Sequence, residues 1–188
     1  MFIPICRQQS APAATPATAA SVAPQLHSEC CRSINLIVVH CTASRCDRPL
    51  SPESLDSIHR QRGFNGCGYH FYITRNGNIF PMRPLNHIGA HVRGFNAHSI
   101  GIAYEGGLLP DGAPADTRTL EQREALRFLI CQLLVVYPKS TVCGHRDLSP
   151  DLNGNGIIEP QEWMKQCPCF DATREYASLC VEAFHRKG

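Results

Sequence analysis

Within residues 33–40, SINLIVVH, the Leu-Ile-Val-Val run is unbroken by any polar side chain and ends in a histidine. Alternate residues of a strand point to opposite faces, so a run that is apolar at every position suits a strand covered on both sides. Such a strand needs one packed layer above it and another below. This requirement constrains the chain to a layered domain with the strand at its centre and His40 at the strand end.

The following segments supply the layers. Ser51 and Pro52 read as a helix N-cap and first helical residue, with Leu55 and Ile58 on one face and Gly63 as the stop. YHFYIT and NIFPM flank Arg75-Asn76-Gly77, and Asn-Gly between apolar runs predicts a β-hairpin. Residues 99–106, SIGIAYEG, form a further strand, followed by a Gly- and Pro-rich loop through Ala115. Thr119 and Gln122 make a capping box for an amphipathic helix, in which Leu126, Leu129, Ile130, Leu133, Leu134 and Tyr137 recur until Pro138. STVCGH is a short strand, and residues 171–185 read as a closing helix. Strands and helices alternate without a strict βαβ rhythm. The expected class is therefore mixed α/β, a single domain with a central mixed β-sheet and helices packed on its faces.

Composition sets the outer limits. The 188 residues, 43% hydrophobic, can bury one full core. Residues 11–24, APAATPATAASVAP, offer little to bury, so residues 1–32 read as a flexible Ala/Pro-rich tail and 33–188 as the folded domain. A formal charge of +2 leaves no broad basic field, and neither nucleic acid nor an acidic membrane surface is expected as a partner. The longest apolar run, LICQLLVVY from Leu129, is interrupted by Gln132 and falls short of the roughly 20 residues that span a bilayer. MFIPIC is shorter than a signal-peptide core and has no basic segment before it, so no signal peptide is evident. Eleven cysteines is an odd number in a chain long enough to fold without a disulfide framework, which favours thiols or metal ligands.

A histidine taken alone is usually a core or surface residue, but position changes that reading. His40 ends one expected strand, and His145, in VCGHRD, follows another, so their side chains can converge. Cys167, in KQCPCFD, can join them. Two imidazoles and a thiolate make a three-ligand zinc site whose fourth position is left for water, the catalytic rather than the structural arrangement.

The blocks VVHCTAS (38–44), HRQRGFNGCGYHFYITRNGNIFPMRP (59–84), GAHVRGFNAHSIGIAYEGG (89–107), GHRDLSP (144–150) and KQCPCFDA (165–172) occur in this order. Together they resemble the zinc-dependent N-acetylmuramoyl-L-alanine amidases, the type shared by phage lysozyme-amidases and animal peptidoglycan recognition proteins. The resemblance implies that His40, His145 and Cys167 bind zinc and that Tyr69 and Lys165 stand beside the metal. It implies that His91 and Asn96 line the groove that takes the glycopeptide. Either Cys167 or Cys169 could reach a metal, and the family's CP-x-FD pattern places the ligand at Cys167. An unperturbed phenol, with a pKa near 10, is a poor base at neutral pH, so Tyr69 is given the supporting role of orienting water or donating to developing charge. Cys41, next to a proposed ligand, reads as a buried small side chain.

Between His145 and Cys167 lies DLNGNGIIEPQE, residues 151–162, which matches the calcium-loop pattern D-x-[DN]-x-[DN]-G-x5-E at every specified position. Asp151, Asn153, Asn155, the carbonyl of Ile157 and Glu162 would supply oxygen ligands to Ca2+. Ser149-Pro150 argues against an entering helix, while Glu159-Pro160-Gln161-Glu162 can start a short exit helix. A calcium ion would then brace the helix that delivers Lys165 and Cys167.

The function implied by the resemblance is hydrolysis of the amide between N-acetylmuramic acid and L-alanine in peptidoglycan. The expected agent is a monomer acting on the bacterial cell wall, in the periplasm or outside the cell, as an antibacterial endolysin does. The alternative is a module of the same fold that binds peptidoglycan without cutting it. Non-catalytic relatives commonly lack the cysteine ligand, and Cys167 is present here.

Overall fold

The computed structural model describes residues 32–185. Residues 1–31, nearly all of the expected tail, lie outside the described residues. Arg32 departs from that expectation and belongs to the folded unit, because its guanidinium donates to the carbonyls of Leu85, Asn96, Ala97 and Ser99.

In chain order the strands are β1 (Leu36–Cys41), β2 (Ser44–Arg45), β3 (Phe71–Ile73), β4 (Ile79–Pro81), β5 (Ser99–Tyr104), β6 (Gly107–Leu108) and β7 (Thr141–Gly144). The helices are α1 (Pro52–Gln61), α2 (Leu120–Val136) and α3 (Ala172–His185). Five strands form one sheet in the order β4-β3-β5-β1-β7, with β3 and β4 antiparallel and the other pairings parallel. The sheet is mixed because one Asn-Gly hairpin contributes its edge. β2 and β6 pair separately, where a loop was expected, because the β1–β5 ladder continues past its ends through Thr42 N–H to Tyr104 O and Ser44 N–H to Gly106 O.

β1 is covered on both faces. Ile37, Val38 and Val39 have no exposed surface. Ile37, Val39 and Cys41 pack with Leu126, Leu129, Ile130 and Leu133 of α2 and with Tyr176 and Leu179 of α3. Val38 faces the opposite way, toward Val92 and Cys143, while Leu55 of α1 packs with Tyr72 and Ala103 on another part of the sheet. Each buried Leu or Ile contributes about 1.5–3 kcal/mol, so α2 is held by its apolar stripe and trimmed by its cap. Thr119 Oγ1 accepts from Gln122 N–H at 3.1 Å, and Gln122 Oε1 accepts from Thr119 N–H at the same distance. Ser51 caps α1 through Ser54 N–H, as its place before Pro52 suggested.

Candidate metal centre

The register of β1 against β7 builds the site. Val39 lies opposite Gly144, so His40 and His145, the next residue on each chain, leave the ladder as neighbours. Their ring centroids are 4.7 Å apart. The segment carrying Cys167 is pinned beside them: Arg146 N–H donates to Cys167 O at 2.8 Å, Tyr104 Oη to Pro168 O at 2.6 Å and Cys41 N–H to Cys167 Sγ at 3.2 Å.

His40, His145 and Cys167 each bring a ligand atom within 4.8 Å of the others. His40 Nδ1 lies 3.8 Å from Cys167 Sγ. Tetrahedral bonds of about 2.0–2.3 Å put ligand atoms roughly 3.3–3.8 Å apart, so the trio needs little adjustment to close on one ion. Among the described residues, no other group of three or more His, Cys, Asp or Glu side chains converges in this way. Cys169 is directed elsewhere, with its Sγ 3.9 Å from Cys41 Sγ and 3.4 Å from Gly107 O, and that thiol pairing holds its pKa above the ordinary range. Cys41 is buried.

The electrostatics suit a metal. Burial, followed by the positive neighbour Lys165, lowers His145 to about 4. Burial first, then His91, His145 and Lys165, holds His40 well below its ordinary range. Both rings are therefore neutral at physiological pH, the protonation state that ligates a metal. Tyr69 leans on His40 with ring centroids 5.1 Å apart, and burial, then the neighbouring Cys167 side chain, raises its phenol above the ordinary range. Tyr69 keeps its proton and can donate it in a hydrogen bond. Lys165, two residues before Cys167, is exposed.

The two groove candidates are held by hydrogen bonds beside the site. His91 is 9% exposed and lies under His40, with its Nδ1 3.0 Å from His40 Nε2. Asn96 spends its Oδ1 on the N–H groups of His91 and Val92, both at 2.9 Å, and so shapes the turn that carries His91. His59 was not singled out from sequence. Its Nδ1 accepts from Gly68 N–H at 2.9 Å and its ring packs 5.3 Å from Tyr69, so it backs the tyrosine. The glycine-spaced GCGYH stretch was the available signal.

The 151–162 loop closes on itself. Asp151 accepts from Gly154 and Gly156 N–H, Asn153 from Asn155, and Asn155 from Ile157. Glu162 is turned inward and accepts from Leu152, Asn153 and Glu159 N–H. Those backbone bonds hold both carboxyls below their usual range. The calcium expectation finds no support in a loop already closed by its own N–H groups. The exit helix is a single 3-10 turn, Pro160–Glu162, with the proline at its start, and Trp163 is already extended. Lys165 follows Trp163, whose ring lies under the Arg146 guanidinium at 4.0 Å.

A five-stranded mixed sheet with two imidazoles and a thiol gathered at the ends of β1 and β7 defines a mixed α/β domain with a three-donor metal centre. The chain belongs to the N-acetylmuramoyl-L-alanine amidase family, which its residues 31–169 match. It is 32% identical over 138 residues to the endolysin of Klebsiella phage KP32, covering 73% of this chain and 82% of that protein. It is 31% identical over 126 residues to peptidoglycan recognition protein 1 of Bos indicus, covering 63% and 64%. Among solved structures it is similar to the endolysin amidase LysCS from Clostridium intestinale, with a TM-score of 0.62, 29% identity and coverage of 91% and 92%. Among the described residues no helix is long and apolar enough to cross a membrane.

Proposed function

We propose that this protein is a zinc-dependent hydrolase of the amide between N-acetylmuramic acid and L-alanine in peptidoglycan. The observation that carries the reading is the convergence of His40, His145 and Cys167, two neutral imidazoles and a thiol, within reach of one ion. Zinc, when bound, supplies a water acidified to about pKa 7 and polarises the amide carbonyl. The chain's own residues do the rest. His40, His145 and Cys167 hold the ion. Tyr69, protonated, donates to charge developing on the reacting groups. Lys165 brings a positive charge to the oxyanion that forms on the attacked carbonyl, where a preorganised donor is worth about 2.7–4 kcal/mol.

The recognition-only reading is disfavoured by Cys167, which a module that merely binds muropeptide does not need. Mass spectrometry of peptidoglycan incubated with the protein separates the two. Intact sugar chains with free peptides beginning at L-alanine support the hydrolase, whereas bound but uncut material supports the recognition module.

A further inference from the structure

We infer that His91 is a positioning residue, the second member of a hydrogen-bonded relay from His40 through His91 to Ser99, which fixes the ring and tautomer of His40 for zinc. The inference rests on the zinc reading above. His40 presents Nδ1 toward Cys167 and Nε2 toward His91. A metal on Nδ1 requires the His40 proton to sit on Nε2, so the 3.0 Å contact is His40 Nε2–H donating to His91 Nδ1. His91 must then carry its own proton on Nε2, which lies 3.3 Å from Ser99 Oγ. Each tautomer follows from the previous one, and the relay ends on a hydroxyl able to accept.

The surroundings are shaped to this ring. A Cβ at Gly101 would lie 2.6 Å from His91 Cγ, and one at Gly89 would lie 2.5 Å from its Cδ2. Neither distance is tolerated by real side chains, so two glycines leave the slot that the imidazole fills. His70 closes the far side, 5.8 Å away centroid to centroid, with its own Nδ1 committed to Gly101 N–H at 3.0 Å. Ser99 has no exposed surface. A ring built in this way can hold a ligand histidine still. Groups that hydrogen-bond a metal-ligating imidazole orient it and raise its basicity.

The test is zinc affinity of the full chain by competition with a chelating dye, supported by the visible spectrum of the cobalt-loaded protein. His91→Leu keeps the volume and removes the acceptor, and its zinc Kd should rise about 10–100-fold. His91→Asn places Oδ1 as many bonds from Cα as Nδ1, and should recover most of the affinity and the wild-type cobalt bands. In the zinc-loaded wild-type protein, nitrogen-15 correlation spectra of the imidazoles should place the His91 proton on Nε2. A proton on Nδ1, or a His91→Leu Kd within about threefold of wild type, overturns the relay. Should His91→Leu fail to fold, the wild-type ring tautomer and the Asn variant decide. If wild type binds zinc and cleaves while His91→Leu binds equally well, the relay alone fails. If wild type binds no zinc, the proposed function and the relay fall together.

Discussion

Arg118 is the side chain whose removal should cost this fold most among its charged residues. It has no exposed side-chain surface and is gripped by two carboxylates. Nε and Nη2 donate to Asp116 at 2.9 Å, and Nη1 and Nη2 donate to Glu175 at 2.8 Å. The guanidinium also lies 3.2 Å over the Phe170 ring, three residues after Cys167. Arg118→Met keeps much of the stem volume and leaves Asp116 and Glu175 without their shared partner. Breaking a buried pair from one side costs about 3–5 kcal/mol, and the low end applies because both carboxylates remain partly solvated. In a domain of this size about 3 kcal/mol lowers Tm by roughly 6–12 °C. The assay is thermal unfolding by circular dichroism, at equal zinc concentration. Zinc affinity at low temperature should stay close to wild type, because Arg118 touches no ligand atom. A Tm loss under about 2 °C would refute the reasoning, showing that the buried network contributes no net stability.

Tyr69→Phe should lower kcat by about a hundredfold while leaving zinc affinity unchanged, since it removes a donor and no ligand; equal loss of zinc would reassign the tyrosine to structure. Burial lowers His70 to about 4 from its ordinary 6.5. The folded state therefore binds that proton less readily than the unfolded chain. Its contribution is complete above 6.5 and is lost as pH falls toward 4, to a limit of about 3 kcal/mol for this one residue. Denaturant titration of the zinc-free protein at stepped pH should show stability falling across that window, and a flat profile contradicts it. Glu162→Gln should lower Tm to the same extent in calcium and in chelator, because the carboxylate closes the loop through Leu152, Asn153 and Glu159 N–H. A loss seen only in calcium would restore an ion to the loop.

Much of the layered frame was legible in the sequence because local signals and burial agree there. The run ending at His40 is apolar on both faces, and the two capping serine and threonine residues sit where α1 and α2 begin. Strand ends correctly suggested that His40 and His145 could meet, but the register that makes them neighbours, Val39 opposite Gly144, is a long-range pairing that no local pattern encodes. The two-residue β2–β6 ladder was invisible for the same reason. In the 151–162 loop, the ligand pattern and the self-closing turn use the same Asp, Asn and Gly positions, and where their oxygens go is decided only in the folded loop. GAHVRGFN displays His91 without showing which side of the chain it takes; Gly89 and Gly101 encode that choice, in a form readable only once both are seen against the ring.

The most direct test of the central claim is a peptidoglycan digest by metal-stripped protein, metal-stripped protein given back one equivalent of zinc, and Cys167→Ser, with products identified by mass spectrometry. Free peptides beginning at L-alanine and uncut sugar chains are expected from the zinc-restored protein alone. The same peptides released by stripped protein or by Cys167→Ser, or sugar-chain fragments in place of peptides, would contradict it.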